Sequence, residues 1–341
     1  MALSKMNRII SGGLWFISRA RSAPKGYAIL LYHRLHDKDP CPSGLSVSAG
    51  EFERQMRLAT EIGRVVPLSD MVSMVRGRRS PDRLYIAVTF DDGYEDVLRL
   101  GLPLFRRLSV PATFFISTAF IDDSSRVPWW DEIHEIARSE RSLTLDGLGY
   151  DPRPGKRKEF MERASIKLKY SGIDPQVIMA GLRPAGCKMP ESNGFADWEG
   201  LRKAARSGYV EIGGHTVTHP TLSMGGLGEV LQGKRRLEDE LGAKARFFSY
   251  PFGERRDISP GAVIAARKAG FLAAVTSQSG FNRAGDDLMC LRRIKFSGDR
   301  PGDFEINLRT GDIKRGINRA YSFLSGLGGA GRFNGSRADG T

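Results

Sequence analysis

The run Ile86-Ala87-Val88-Thr89-Phe90 constrains this chain more than any other stretch. It has the length of a strand, is β-branched or aromatic at most positions, and is apolar on both alternating faces. Such a run belongs in a sheet covered on both sides, which is the setting of parallel strands. It stops at Asp91-Asp92-Gly93. Two carboxylates therefore stand where the strand leaves the core, and a glycine follows where the chain must turn. Adjacent anions repel, and burial raises their pKa values. Either full solvation of the turn or a bound cation relieves that conflict.

The same pattern recurs along the chain. Apolar runs at 27–32, 112–117, 209–213, 247–250 and 271–276, with shorter ones at 65–68 and 290–294, read as strands. Helical periodicity is read between them at 51–62 (capped by Ser48), 69–75, 95–108, 197–207, 227–241 and 260–269. This alternation predicts an α/β fold with mainly parallel strands, a sheet that is open or closed into a (β/α) barrel. The rhythm breaks over about 121–196, after the third or fourth strand. There Pro128-Trp129-Trp130-Asp131 is followed by a helix to about 139 and a Lys/Arg-rich helix at 156–170, as in a helical insertion over one end of the sheet. The expected organisation is an N-terminal tail or short amphipathic helix at 1–26, one barrel domain at 27–300, and a C-terminal segment at 301–341 that is partly disordered.

The chain has 341 residues and a net charge of +13. That excess suits an acidic partner such as an anionic glycan or lipid headgroups, or it is a generally basic surface. No Gly-x-Gly-x-x-Gly follows a strand and no P-loop is present, which argues against dinucleotide and nucleotide sites. No nucleic-acid-binding motif is visible. Cys41, Cys187 and Cys290 are odd in number and far apart, so a reducing compartment is the simpler expectation. The apolar stretch from Ile9 to Ile17 is too short to span a bilayer and is broken by Ser11-Gly12-Gly13. It reads as a short interfacial helix or as a terminal helix packed on the domain. A cytoplasmic location, with peripheral contact at a membrane face, is expected. Oligomeric state is not legible.

A second polar strand end decides the chemistry. After the strand at 209–213 comes Gly214-His215-Thr216-Val217-Thr218-His219. Two histidines four apart have metal-ligand spacing, although a lone pair of this kind is more often structural. Asp-Asp at one strand end and His-x-x-x-His at another make an open site of two histidines and a carboxylate, with a position left for water or substrate.

Thr89-Phe90-Asp91-Asp92-Gly93 and His215-Thr216-Val217-Thr218-His219 resemble the first two motifs of the polysaccharide deacetylase family, carbohydrate esterases that share the chitooligosaccharide deacetylase homology domain. The resemblance covers about 27–297, less the insertion. It implies a distorted (β/α) barrel and a hydrolase that removes N-acetyl groups from N-acetylhexosamine units of a polysaccharide, oligosaccharide or lipid-linked glycan. It implies that Asp92, His215 and His219 bind a divalent metal, usually zinc, with cobalt, nickel or manganese as substitutes. It implies that Asp91 is the general base and that the Phe252 N–H, in Ser249-Tyr250-Pro251-Phe252-Gly253, stabilises the oxyanion. Tyr250 and Pro251 of that motif are candidates for substrate contact.

Two departures stand out. The arginine that often braces the base in the third motif is replaced by Ser249, and Arg293 is either its substitute or a surface arginine. No histidine follows His219, so His33 is the candidate general acid, as in members with permuted motif order such as deacetylases of biofilm poly-N-acetylglucosamine. Trp129 and Trp130 suit stacking on sugar rings, with one of them anchoring the insertion. Leu291 and Ile294 are candidate walls for the acetyl methyl. The competing readings are an O-acetyl esterase with the same site, and a carbohydrate-binding protein whose site has decayed.

Overall fold

Twelve strands are present among the described residues: β1 (Gly26–Tyr32), β2 (Arg34–His36), β3 (Ser46–Ser48), β4 (Arg64–Val65), β5 (Leu84–Phe90), β6 (Ala112–Ile116), β7 (Leu143–Leu145), β8 (Leu148–Tyr150), β9 (Val210–Gly214), β10 (Phe247–Ser249), β11 (Ala273–Val275) and β12 (Ile294–Lys295). The structure, a computed structural model, describes residues 24–41, 43–136, 143–145, 148–150, 156–180, 194–295 and 302–311. The segments 1–23 and 312–341, where a terminal helix and a disordered tail are expected, lie outside them.

The main sheet has eight strands in the order β11-β10-β9-β6-β5-β1-β12, with β4 beside the start of β5. Every pairing in it is parallel. The two ends of the sheet approach one another through one segment: Leu291 bridges Val275, and Ile294 pairs with Leu30. The sheet is thus curled into the distorted barrel expected from the sequence, with Leu291–Lys295 as its seam.

Strand alternation divides the core in two. Ala28, Leu30, Ile86, Val88, Phe90 and Phe114 face outward onto the helices, among them Ala49–Ile62 through Phe52 and Met56. Tyr27, Ile29, Tyr85, Ala87, Phe115, Phe247 and Val275 face inward. The helix Leu68–Arg76 closes the end where the strands begin, inserting Met71, Val72 and Val75 among these inward residues. Tyr27 Oη donates to the Arg79 carbonyl beside it. Each fully buried apolar side chain contributes roughly 1.5–3 kcal/mol, so this plugged interior is a packed core and not a pore. Only the other end, where the strands finish, is free to hold a polar site.

Local departures from expectation have local causes. The strand expected at 65–68 is two residues long, because Pro67 ends it and the helix starts at Leu68. The helix expected at 95–108 contains a π-helical stretch at Val97–Gly101 ahead of Leu102–Leu108. Pro103 lacks an N–H and crowds the preceding turn, so a regular ladder cannot run through it. The last strand lies at β12 and not at 290–294, since Leu288–Cys290 forms a 3-10 turn. The helix expected at 131–139 spans Trp129–Ile136, and residues beyond it are outside the described range. The insertion also carries the antiparallel hairpin β7–β8. Its helices gather Trp129, Ile133, Phe160, Ala164, Leu168 and Met179 into a small core of their own. No helix among the described residues is long and apolar enough to cross a membrane.

Candidate active site

Inward alternation along β5 runs Tyr85, Ala87, Thr89 and continues to Asp91 beyond the strand end. Asp92 should then face outward. Instead it takes a left-handed backbone, φ 76°, which turns it back toward the mouth. Among the described residues six that are not glycine have positive φ, and four of them belong to this site: Asp92, Thr216 (67°), His219 (62°) and Phe252 (59°). Each such conformation costs about 1–3 kcal/mol and persists only where its surroundings enforce it. Strain is therefore concentrated where the motifs meet.

Asp91 is 4% exposed and fully engaged. Arg293 Nη1 donates to its Oδ1 at 2.7 Å and Arg293 Nη2 to its Oδ2 at 2.7 Å. Ser249 Oγ donates to Oδ2 at 3.1 Å. Arg293 is itself held: Nε donates to the Thr276 carbonyl at 2.7 Å, and Nη1 reaches Thr89 Oγ1 at 3.2 Å. Burial pushes the Asp91 carboxyl up, but the Arg293 and His215 charges more than reverse this and hold it well below the usual carboxylate range.

Asp92, His215 and His219 converge next to it. Asp92 Oδ1 lies 3.4 Å from His215 Nε2 and 3.5 Å from His219 Nε2. One nitrogen or oxygen from each of the three lies within 4.8 Å of the other two. His215 Nδ1 is 2.7 Å from the Ser249 carbonyl. A carbonyl only accepts, so Nδ1 carries hydrogen and Nε2 turns its lone pair inward. The path into this motif is tight at Gly213, where a Cβ would stand 2.6 Å from the Phe115 ring and 2.8 Å from the Phe247 carbonyl.

The residues fit a divalent cation. Asp92 Oδ1 is buried and has no hydrogen-bond partner, although buried carboxylate oxygens are normally paired. Burial opposes a charged His215, yet Asp91 and Asp92 outweigh it and raise its pKa. Burial and the neighbouring His215 push His219 down to about 3. Arg293 already compensates Asp91, so the charge left at the triad is that of Asp92, between two imidazoles of which only His215 is drawn toward its protonated form. Two imidazole nitrogens and one carboxylate form a donor set suited to zinc.

Asp91, His215 and His219 lie on the wall of a cavity of about 520 Å³ that is also lined by His33, Trp130, Lys169, Phe252 and Lys295. Burial lowers the His33 pKa against the pull of Asp92 and Asp91. Trp130 packs 4.7 Å from the His219 ring and donates its Nε1–H to Tyr94 Oη at 2.9 Å. Phe252 covers the other side of His219, with ring centroids 4.6 Å apart. Its N–H forms no hydrogen bond with another described residue, while its carbonyl accepts from Ser277 Oγ.

The remaining expected contacts are not brought to this cavity. Trp129 is 6% exposed, belongs to the insertion's core, and lines a second cavity of about 250 Å³ on the far side of Phe252. Tyr250 faces the outer layer and donates its Oη–H to the Met289 carbonyl at 3.0 Å. Pro251 is buried beneath the Phe252 turn. Leu291 is fully buried in the inner core, and Ile294 is buried in the outer layer. The motif order could not show which face each residue takes at the barrel seam. Lys169, Glu254 and Lys295 on the cavity wall went unrecognised, because each is an ordinary charged residue in a polar segment.

A family model described as polysaccharide deacetylase matches residues 78–170. The matched stretch is about a quarter of the chain. It contains Asp91 and Asp92 and ends before the histidine motif, so the family resemblance drawn from the motifs is found independently on the carboxylate side. Among solved structures, IcaB from Ammonifex degensii matches with a TM-score of 0.56 at 19% identity, over 84% of this chain and 96% of that one. The Streptococcus pyogenes deacetylase PplD, in complex with acetate, has a TM-score of 0.56 at 15% identity, over 84% and 99%. A polysaccharide deacetylase from Bacillus cereus has a TM-score of 0.55 at 17% identity, over 83% and 69%. At these identities the likeness concerns the fold. No curated protein matches the sequence.

Proposed function

We propose that this chain is a metal-dependent hydrolase that removes N-acetyl groups from N-acetylhexosamine units of a glycan and releases acetate. One observation carries the reading: a buried, unpartnered Asp92 oxygen faces two histidine nitrogens, beside a carboxylate that its own arginine holds ionised. The polysaccharide deacetylase family match at 78–170 supports a glycan as the substrate.

Asp92, His215 and His219 would hold the metal. Bound there, it supplies Lewis acidity toward the acetyl carbonyl and lowers the pKa of water. The chain's own groups do the rest. Asp91 accepts a proton from the attacking water, and Arg293 and Ser249 keep its carboxylate oriented for that transfer. The Phe252 N–H, which has no hydrogen-bond partner among the described residues, donates to the oxyanion as the water oxygen bonds to the acetyl carbon. One such donor is worth roughly 3–4 kcal/mol of barrier. Breaking the C–N bond requires a proton on the departing nitrogen, and His33 on the cavity wall delivers it. The sum is water and amide in, acetate and amine out. Trp130, beside His219, gives the sugar a flat apolar surface.

The deciding experiment is acetate release from N-acetylglucosamine oligomers by protein stripped with chelator and then reloaded with zinc. Acetate matched by new free amines, and lost in Asp91→Asn, is the expected result. Acetate without amines from an O-acetylated glycan would replace this reading with an esterase. Glycan binding that survives chelation, with no turnover, would replace it with a binding protein.

A further inference from the structure

The insertion reaches into the catalytic cavity through one side chain. Lys169 ends the helix Lys156–Lys169, and its Nζ lies 4.4 Å from the centre of the Phe252 ring. The same ammonium donates to Asp257 Oδ2 at 2.8 Å. Asp257 is completely buried and accepts two further bonds, from Tyr170 Oη at 2.5 Å and from the Glu254 N–H at 2.9 Å. The Lys169 carbonyl accepts from Thr221 Oγ1 at 2.6 Å, just past the histidine motif. Lys169 is thus tied to the loop that follows β10 and to the loop that follows β9. It lines both the main cavity and the second cavity, and Phe252 and His219 are shared between those two walls.

A buried carboxylate with three donors is a fixed point. The Phe252 turn hangs between that point and the Ser277 bonds to Phe252 and Gly253. Phe252 holds a left-handed backbone that costs free energy, so something outside the turn must enforce it. The ring provides the handle: it packs against the insertion's small core, and the Lys169 ammonium covers it.

Resting on the deacetylase reading above, we infer that Lys169 is a positioning residue: by clamping the Phe252 turn through Asp257 and the Phe252 ring, it sets the oxyanion N–H. The insertion is then part of the active site rather than a cover over it. The residue acts through Phe252, so its loss lowers turnover while leaving substrate affinity in place.

The test pairs two readouts on the zinc-loaded full chain. The first is amide hydrogen exchange across 249–257, compared with β1 and β5. In Lys169→Met, exchange over 249–257 rises about tenfold or more while β1 and β5 stay as in wild type. The second is steady-state acetate release. The kcat falls about 10- to 100-fold with KM within about threefold, and Lys169→Arg, which keeps the charge, recovers most of the loss. Should Lys169→Met also loosen β1 and β5, Asp257→Asn removes the same anchor without touching the cavity wall, and the same local signature is expected. Exchange over 249–257 matching wild type in both variants overturns the inference, whatever the glycan. So does a variant whose whole deficit lies in KM. A wild-type protein that releases no acetate sinks the deacetylase reading instead, and the exchange arm still decides the clamp.

Discussion

Arg293 grips Asp91 with both terminal nitrogens, each 2.7 Å from a different carboxylate oxygen, and both side chains are buried. The arginine comes from the seam segment itself and the aspartate from the end of β5, two strands away across β1. This single pair therefore orients the base and ties the closure of the barrel to the site. A fork on a carboxylate fixes direction as well as charge, and only arginine offers that geometry.

Arg293→Ala leaves Asp91 buried and uncompensated, which costs about 3–5 kcal/mol of stability. Arg293→Lys keeps the charge but loses the fork and the bonds to Thr276 and Thr89. Urea unfolding should show the lysine variant losing less stability than the alanine variant. Acetate release by the lysine variant should still fall about tenfold or more, because the base is no longer aligned.

The same pair sets an acid limit. The folded-state pKa of Asp91 lies below the unfolded value near 3.9. Its stabilisation is therefore complete above about pH 4 and is lost as pH falls below that toward the folded value. Metal-free wild type should lose stability over that window, with this one group contributing a slope of up to about 1.4 kcal/mol per pH unit. In Asp91→Asn that contribution disappears. Denaturant midpoints measured at pH 5, 4 and 3 should converge for the two proteins at the acid end.

The longer strands of the main sheet were legible because they are continuous apolar runs, and the polar mouth was legible because the runs stop at polar residues; the three-residue strands β2, β3, β7 and β8 are too short to carry such a signal. Alternation alone carried Asp91 inward from Tyr85, Ala87 and Thr89. What spacing could not carry was facing at irregular positions. Leu291 and Arg293 are two residues apart on the seam; the first joins the inner core and the second reaches the base. Tyr250 directly follows β10 and turns outward, while Phe252 lines the cavity after a left-handed turn. Lys169 meets Asp257 across 88 residues, a contact made by the docking of an insertion whose helix turns its apolar face, Phe160, Ala164 and Leu168, to its own small core.

Gly213 is where the fold and the metal ligands touch. A methyl group there meets the Phe115 ring and the Phe247 carbonyl inside normal contact distance, and the carbonyl cannot move without disturbing β10. Gly213→Ala should cost about 1–3 kcal/mol by overpacking. It should also weaken metal binding through displacement of His215. Zinc titration at matched folded fraction separates the two effects.

Metal occupancy should behave as a stabilising ligand. Asp92→Asn and His219→Ala should each reduce zinc from one per chain toward none by elemental analysis. Wild type at a free zinc concentration of about 100 Kd should gain about 2.7 kcal/mol over stripped protein, and the variants should gain nothing. Equal thermal shifts in Asp92→Asn and wild type would place the ion elsewhere.

His33 can be separated from the rest of the machinery by changing the leaving group. An amide nitrogen must be protonated before it departs, whereas an aryl ester leaves as a stable anion without help. Removing a general acid costs about 10²- to 10⁴-fold where protonation is needed. His33→Ala should therefore lose that much on an N-acetylglucosamine oligomer and less than about tenfold on an aryl acetate. The pH profile should follow the same logic. Burial lowers the His33 pKa below the ordinary histidine value near 6.5, so its acid form is lost as pH rises toward neutrality, earlier than for a free imidazole. Amide turnover by wild type should fall along that alkaline limb, and the residual rate of His33→Ala should lack it. Equal losses on amide and aryl ester would mean that His33 shapes the cavity rather than delivering the proton.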